Sequence, residues 1–184
     1  MARVPLLTQE SAAPEIAEIF AKQEQRGLPV VNLYRVVGHS PAIGQEFVRM
    51  GNRILYRGKL PPRLREFAIL WVGHVARAPY EFTKHVVIGR KAGISQAQID
   101  ALADWRTSPL FDDQERAVLA YTDEVSRGYR ARDATFAALN GFLDDEQVVE
   151  LTIAIGFYEM VCRVLEALQI ELEDEEFAGI GKTE

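Results

Sequence analysis

Leu60-Pro61-Pro62-Arg63-Leu64-Arg65-Glu66-Phe67-Ala68-Ile69-Leu70-Trp71-Val72-Gly73-His74-Val75 is the stretch whose reading decides the fold. Two prolines open it where the first turn of a helix has no intrahelical use for an N–H. Leu64, Phe67, Ala68, Trp71, Val72 and Val75 then cover a face too broad for a surface helix, so the stretch reads as a central helix buried on most sides. No period-two alternation interrupts it, as a half-buried strand would require.

The same punctuation extends in both directions. Toward the N-terminus, Ser40-Pro41 starts a helix whose stripe is Ile43, Phe47, Met50 and Ile54, closed by Gly58. Before it, Ser11 and Pro14 precede Ile16, Ile19 and Phe20, with Gly27 as the stop. Toward the C-terminus, Pro79 begins a helix carrying Tyr80, Glu81, Phe82, Thr83, Lys84, His85 and Val86 to about Gly93. Ser95 with Gln98, and Asp112 with Glu115, have the spacing of a capping box. Asp133 is expected to cap a short helix ending at Gly141, and Asp144 with Gln147 opens a long one through Ile155, Tyr158 and Leu165 toward Leu168. The expectation is an all-α helical bundle forming one domain over 1–184. Its parts would be N-terminal helices at 1–58, a central motif region at 59–103, C-terminal helices at 104–170 and an acidic tail at 171–184. Glu66-Phe67-Ala68-Ile69 is echoed by Glu150-Leu151-Thr152-Ile153, as a duplicated helical unit would produce.

Composition narrows the function classes. The chain has 184 residues, 48% of them hydrophobic and 26% charged, which suits a globular domain able to bury a core without disulfide or metal staples. Its net charge is −6, and five of the acids sit in Glu171–Glu176, so the body is nearly neutral. Nucleic-acid binding, which needs a basic footprint, is not expected. One cysteine, Cys162, permits neither an internal disulfide nor a Cys-x-x-Cys pair. No long apolar run opens the sequence, so neither a signal peptide nor a membrane span is expected, and the default compartment is the cytoplasm.

Candidate chemistry centres on a few residues. His39 lies in a loop before Ser40-Pro41, and His74 sits beside Gly73 in the apolar helix; both read as structural. His85 has Glu81 four residues before it on the same predicted helix, so the two share a face. A carboxylate beside an imidazole raises its proton affinity and orients the ring, as acid–base catalysis requires. On spacing alone, an ordinary ion pair on a solvated face remains the competing reading. A di-iron bundle wants Glu-x-x-His and a zinc protease His-Glu-x-x-His; neither occurs, and no metal is expected. Cys162, inside the last helix, reads as a buried inert thiol.

The run Leu60 to Leu70, followed by Tyr80-Glu81-Phe82-Thr83-Lys84-His85 and Gly93-Ile94-Ser95, resembles the carboxymuconolactone decarboxylase family, an all-α superfamily that includes the alkylhydroperoxidase AhpD. The resemblance spans about residues 32 to 102, with looser agreement through Glu150 and Tyr158. It implies an AhpD-like fold. In the hydroperoxidase branch a Cys-x-x-Cys pair precedes the histidine, with a glutamate upstream. Those positions fall here on Ala78, Glu81, His85 and Glu66, so both thiols are absent and a disulfide-exchange cycle cannot run there. The cysteine-free decarboxylase branch implies a cofactor-free lyase acting on a small carboxylated or lactone-like metabolite. Its catalytic groups would be His85, Glu81 and Glu66, and an activity inflection would lie in the imidazole range. Tyr80, Lys84 and Arg65 would bind substrate, with Arg63 a further cationic candidate. Alternatives are a peroxidase using Cys162, a non-catalytic small-molecule-binding scaffold, and an interaction module recruited through the acidic tail. The resemblance also implies a homo-oligomer, a trimer or hexamer if not a dimer, to which Trp71, Trp105, Phe111 and Tyr129 would offer apolar surface.

Overall fold

The structure, a computed structural model, describes residues 2–173. The described residues form helices and no strands: α1 Pro14–Gln25, α2 Asn32–Val37, α3 Pro41–Tyr56, α4 Pro62–Ala76, α5 Pro79–Lys91, α6 Gln96–Asp100, a 3-10 turn Leu102–Asp104, α7 Asp113–Gly128, α8 Asp133–Leu139 and α9 Asp145–Leu168. The protein is all-α.

Most starts have the local cause read from sequence. Proline occupies the first turn of α1, α4 and α5 and opens α3. Capping boxes close on α6 through Ser95 and Gln98 and on α7 through Asp112 and Glu115. At α9 the Asp144 and Gln147 side chains each take the other's backbone N–H, at 2.8 and 3.0 Å. Asp133 departs from expectation. It is the first helical residue of α8, Arg132 holds the cap position, and no side chain caps the helix. Its acid serves α8 through the helix dipole instead. The short α2 carries no proline or side-chain cap of its own. The backbone N–H of Asn32 donates instead to Glu173 Oε1 at 2.6 Å, from 141 residues away, so the device that starts α2 is invisible to local pattern.

The chain clusters into two compact units. Of the described residues, one unit comprises 2–56 and 164–173. Its core is Leu7, Ile16, Phe20 and Val30, with Ala12, Ile19 and Tyr34 against them. The α3 stripe is only partly buried here: Phe47 is covered with Gly44 and Val48, whereas Ile43 and Met50 are exposed. A Cβ at Gly44 would come within 2.7 Å of the Val37 carbonyl oxygen, so α3 approaches α2 along Gly44 and the expected stripe is turned outward.

The second unit, Arg57–Arg163, holds the candidate site. Leu64 through Gly73 of α4 are all buried, the all-round burial of a central helix. α4 packs against both α5 and α7. Phe67, Leu70, Trp71, Ile94, Ile99, Leu102, Trp105, Phe111 and Leu119 form the core. Trp71, Trp105 and Phe111 are therefore core residues and supply no docking surface; of the four aromatics only Tyr129 is exposed. The Trp71 indole N–H donates to Asp123 Oδ1 at 3.0 Å, tying α4 to α7.

Two glycines set the spacing between α4 and α5. A Cβ at Gly73 would lie 3.3 Å from the Phe82 backbone nitrogen. One at Gly89 would lie 3.2 Å from Ile94 Cδ1 and 3.3 Å from Leu70 Cδ1. The chain reverses between the helices at Arg77, in the left-handed region at φ 53°, where the Ala78 N–H returns to the Gly73 carbonyl at 3.0 Å. α4 and α5 therefore form a tight αα-hairpin.

The echoed segments do different work. Glu66 faces α5, whereas Glu150 accepts the backbone N–H groups of Lys59 and Leu60 at 2.7 and 2.6 Å. Ile69 is fully buried, and Ile153 is exposed. Among the described residues no helix is long and apolar enough to cross a membrane. Of the acidic tail, residues 174–184 lie outside the described residues.

Candidate functional site

Glu66 stands in the second turn of α4, Glu81 in the first turn of α5, and His85 one turn further along α5. The close hairpin brings the three together. His85 Nδ1 lies 2.7 Å from Glu66 Oε2, and His85 Nε2 lies 2.9 Å from Glu81 Oε1. Relative exposures of 0% for Glu66, 3% for Glu81 and 5% for His85 exclude the reading of a solvated surface pair.

The two ring contacts differ. The Nδ1 contact is a well-formed hydrogen bond. The Nε2 contact is close but poorly angled, and Glu81 Oε1 has no well-aligned donor. Arg65 is buried beside Glu66, its Nε and Nη2 at 3.1 and 3.0 Å from Glu66 Oε1. The charges thus run Arg65, Glu66, His85, Glu81, alternating in sign.

Burial by itself would push the His85 proton affinity down, because it penalises the charged ring. The field of Glu81, then that of Glu66, and the hydrogen bond to Glu66 reverse this and hold its pKa up at about 10. The ring therefore holds its proton above the ordinary imidazole range, and at neutral pH both nitrogens carry hydrogen. Nδ1–H is fixed on Glu66, and Nε2–H faces the less well-formed contact. Chemically, this is a poised acid.

Tyr158 of α9 completes the surroundings, its ring edge-to-face with the imidazole at 4.8 Å between centroids and 80° between planes. Sequence reasoning did not place Tyr158 at the site, and no local signal connects it with a histidine 73 positions earlier. The proposed substrate-binding residues fall differently. Tyr80 is buried on α5, with the Lys84 ammonium 5.8 Å from its ring centroid. Arg65 is occupied by Glu66. Arg63 is turned away toward Glu115, Gln98 and the Gly93 carbonyl. Cys162 is buried, and His74 is exposed and stacked on Trp71. The His39 ring meets the Pro5 carbonyl at 2.8 Å. Among the described residues no group of three or more His, Cys, Asp or Glu side chains is arranged to hold a metal ion. The trio directs its facing atoms at one another.

Comparison with known proteins places this hairpin in context. The model of the carboxymuconolactone decarboxylase family matches residues 41–124, which contain Glu66, Glu81 and His85. The uncharacterized protein YnjA of Escherichia coli (strain K12) is 36% identical over 77 residues, 41% of this chain and 42% of that one, so the match spans less than half of this curated relative. Among solved structures, a protein of unknown function from Agrobacterium tumefaciens superposes with a TM-score of 0.69 at 26% identity, covering 74% of this chain and 94% of that one. An uncharacterized peroxidase-related protein with an alkylhydroperoxidase AhpD core, from Ralstonia eutropha JMP134, gives 0.83 at 19% identity, covering 96% and 94%. The latter likeness is one of fold.

Proposed function

We propose that this chain, whose residues 41–124 match the model of the carboxymuconolactone decarboxylase family, is a member of that family and an acid–base enzyme that needs no cofactor and delivers a proton to a small carboxylated or lactone-like substrate. The observation that carries this reading is the buried His85 ring, held between the side chains of Glu66 and Glu81, whose fields raise its pKa.

In a decarboxylation, the bond from the substrate carbon to its carboxylate breaks and carbon dioxide leaves. The electron pair spreads over the conjugated lactone, and one proton must reach the γ-carbon. Glu81 is the group assigned to exchange that proton with substrate. His85 Nε2–H recharges Glu81, the ring passes through its neutral form, and solvent restores the proton at the end of the turnover. Glu66 holds the Nδ1 proton, and Arg65 holds the Glu66 side chain in place. Arg65 is therefore assigned a positioning role in place of substrate binding. Tyr80 and Lys84, which flank Glu81 on α5, are retained as substrate-facing residues. A thiol cycle has no support at this site, because Ala78 and Glu81 occupy the positions a Cys-x-x-Cys pair would need.

The test is turnover of carboxymuconolactone and related lactone acids in deuterated water, following carbon dioxide release and deuterium at the γ-carbon. Activity lost in Glu81→Gln and His85→Gln but kept in Cys162→Ser is the expected result. Peroxide consumption with a thiol reductant that disappears in Cys162→Ser would replace the proposal with the peroxidase alternative.

A further inference from the structure

Leu151, Ile155, Tyr158 and Cys162 recur along α9 at four, three and four residues, and all four are buried. Tyr158 therefore stands on the inward stripe of a long helix, and the Phe157 ring packs edge-to-face on its own at 5.4 Å between centroids. A ring set this way has little freedom to turn. It meets the His85 imidazole at 4.8 Å and 80°. Glu66, held by Arg65 of the same α4, takes one nitrogen of that imidazole, and Glu81 of α5 faces the other. Tyr158 closes a third side, from α9.

The inequality of the two nitrogen contacts needs a cause. Both carboxylates lie within 2.9 Å of a ring nitrogen, a distance at which a charge-assisted hydrogen bond rewards good alignment. The second side-chain torsion of a histidine is broad, so a small turn of the ring costs little by itself. Yet the bond to Glu66 is well formed and the contact to Glu81 is not, which leaves Glu81 Oε1 buried without an aligned donor. The torsion of His85 does not account for this; the Tyr158 ring packed against it does.

We propose that Tyr158 is a positioning residue: its ring keeps the imidazole aligned on Glu66 and off the line to Glu81, so that Glu81 Oε1 stays open to substrate. This inference rests on the reading of Glu81 as the group that exchanges a proton with substrate. An imidazole free to settle on Glu81 would engage that oxygen in the resting enzyme and lower its proton affinity. With Tyr158 in place, the Nε2–H bond straightens only as the proton passes, and an interaction made in the transition state and not before it is one that raises kcat.

Tyr158→Phe keeps the ring, and Tyr158→Leu removes it while leaving an apolar side chain. The first readout needs no substrate: nitrogen-15-edited proton spectra of the two His85 ring N–H groups at neutral pH. In the wild type the Nδ1 proton should resonate downfield of the Nε2 proton, because the shorter and straighter bond deshields it more. In Tyr158→Leu the Nε2 proton should move downfield toward the Nδ1 value, and in Tyr158→Phe it should stay. The second readout is turnover of carboxymuconolactone, where Tyr158→Leu should lower kcat about tenfold with KM little changed, and Tyr158→Phe should match the wild type. Circular dichroism checks that each variant folds; if Tyr158→Leu does not, Tyr158→Met, unbranched and adaptable, takes its place. A wild type without turnover would overturn the acid–base reading, while the ring spectra would still decide what Tyr158 does. Equal Nδ1 and Nε2 shifts in the wild type would overturn the proposal. So would an Nε2 proton unmoved in Tyr158→Leu or lost there to exchange with water, or a Tyr158→Phe variant as impaired as Tyr158→Leu.

Discussion

Replacing His85 by Gln should change how stability depends on pH more than it changes the fold. The folded-state pKa of His85 is raised from 6.5 to about 10. A group with a raised folded-state pKa contributes stability that is fully present below its unfolded value and is lost as pH rises through the folded value. The window therefore runs from about pH 6.5 to about pH 10. Within it the unfolded chain has released a proton that the folded chain retains, and wild-type stability should fall by roughly 1 kcal/mol per pH unit from this group. His85→Gln leaves Glu66 and Glu81 buried without their cation and should cost about 3–5 kcal/mol at pH 6. The gap between the two proteins should then close as pH rises toward 9. Urea unfolding followed by tryptophan emission suits the question, because both tryptophans, Trp71 and Trp105, lie in the core of the unit that holds His85. Parallel stability curves for wild type and variant from pH 6 to 9 would refute the reasoning, since the ring would then be neutral in the folded protein.

Three further expectations rest on other contacts. Gly73→Val should destabilise by about 1–3 kcal/mol through overpacking against the α5 backbone, whereas Gly89→Ala should be near neutral because its tight contacts are the flexible ends of Ile94 and Leu70, with Glu66 Cβ at an ordinary 3.7 Å; thermal melts of the pair separate the two cases. Glu150→Ala removes the acceptor for two backbone N–H groups and should cost about 1–3 kcal/mol, with amide exchange accelerating at Lys59 and Leu60. Truncation after Ile170 should speed exchange at Asn32, whose N–H is held by Glu173; unchanged protection there would show that α2 starts without it.

The helical class was legible because its signals are local. Prolines at 14, 41, 62 and 79 and the Ser95, Asp112 and Asp144 boxes each act within a turn of where they stand. The pairing of Glu81 with His85 was legible for the same reason, as neighbours on one helix. That Glu66 takes the other ring nitrogen came only from family resemblance, since it depends on a tight hairpin and two glycines whose packing a single sequence does not reveal. Arg65 looked like a free cation beside the motif, and its burial against Glu66 is a tertiary fact. Ile43 and Met50 fit a helical stripe yet face outward, because apolar periodicity identifies a face without naming what covers it. The start of α2 depends on a residue at the far end of the chain.

The most direct measurement is a nitrogen-15 NMR titration of the His85 ring in the intact protein. The account predicts that both ring nitrogens stay protonated through pH 8, that the midpoint lies near 10, and that Glu81→Gln moves it down. A ring that titrates at or below 6.5 would contradict the account, and with it the assignment of His85 as the stored acid.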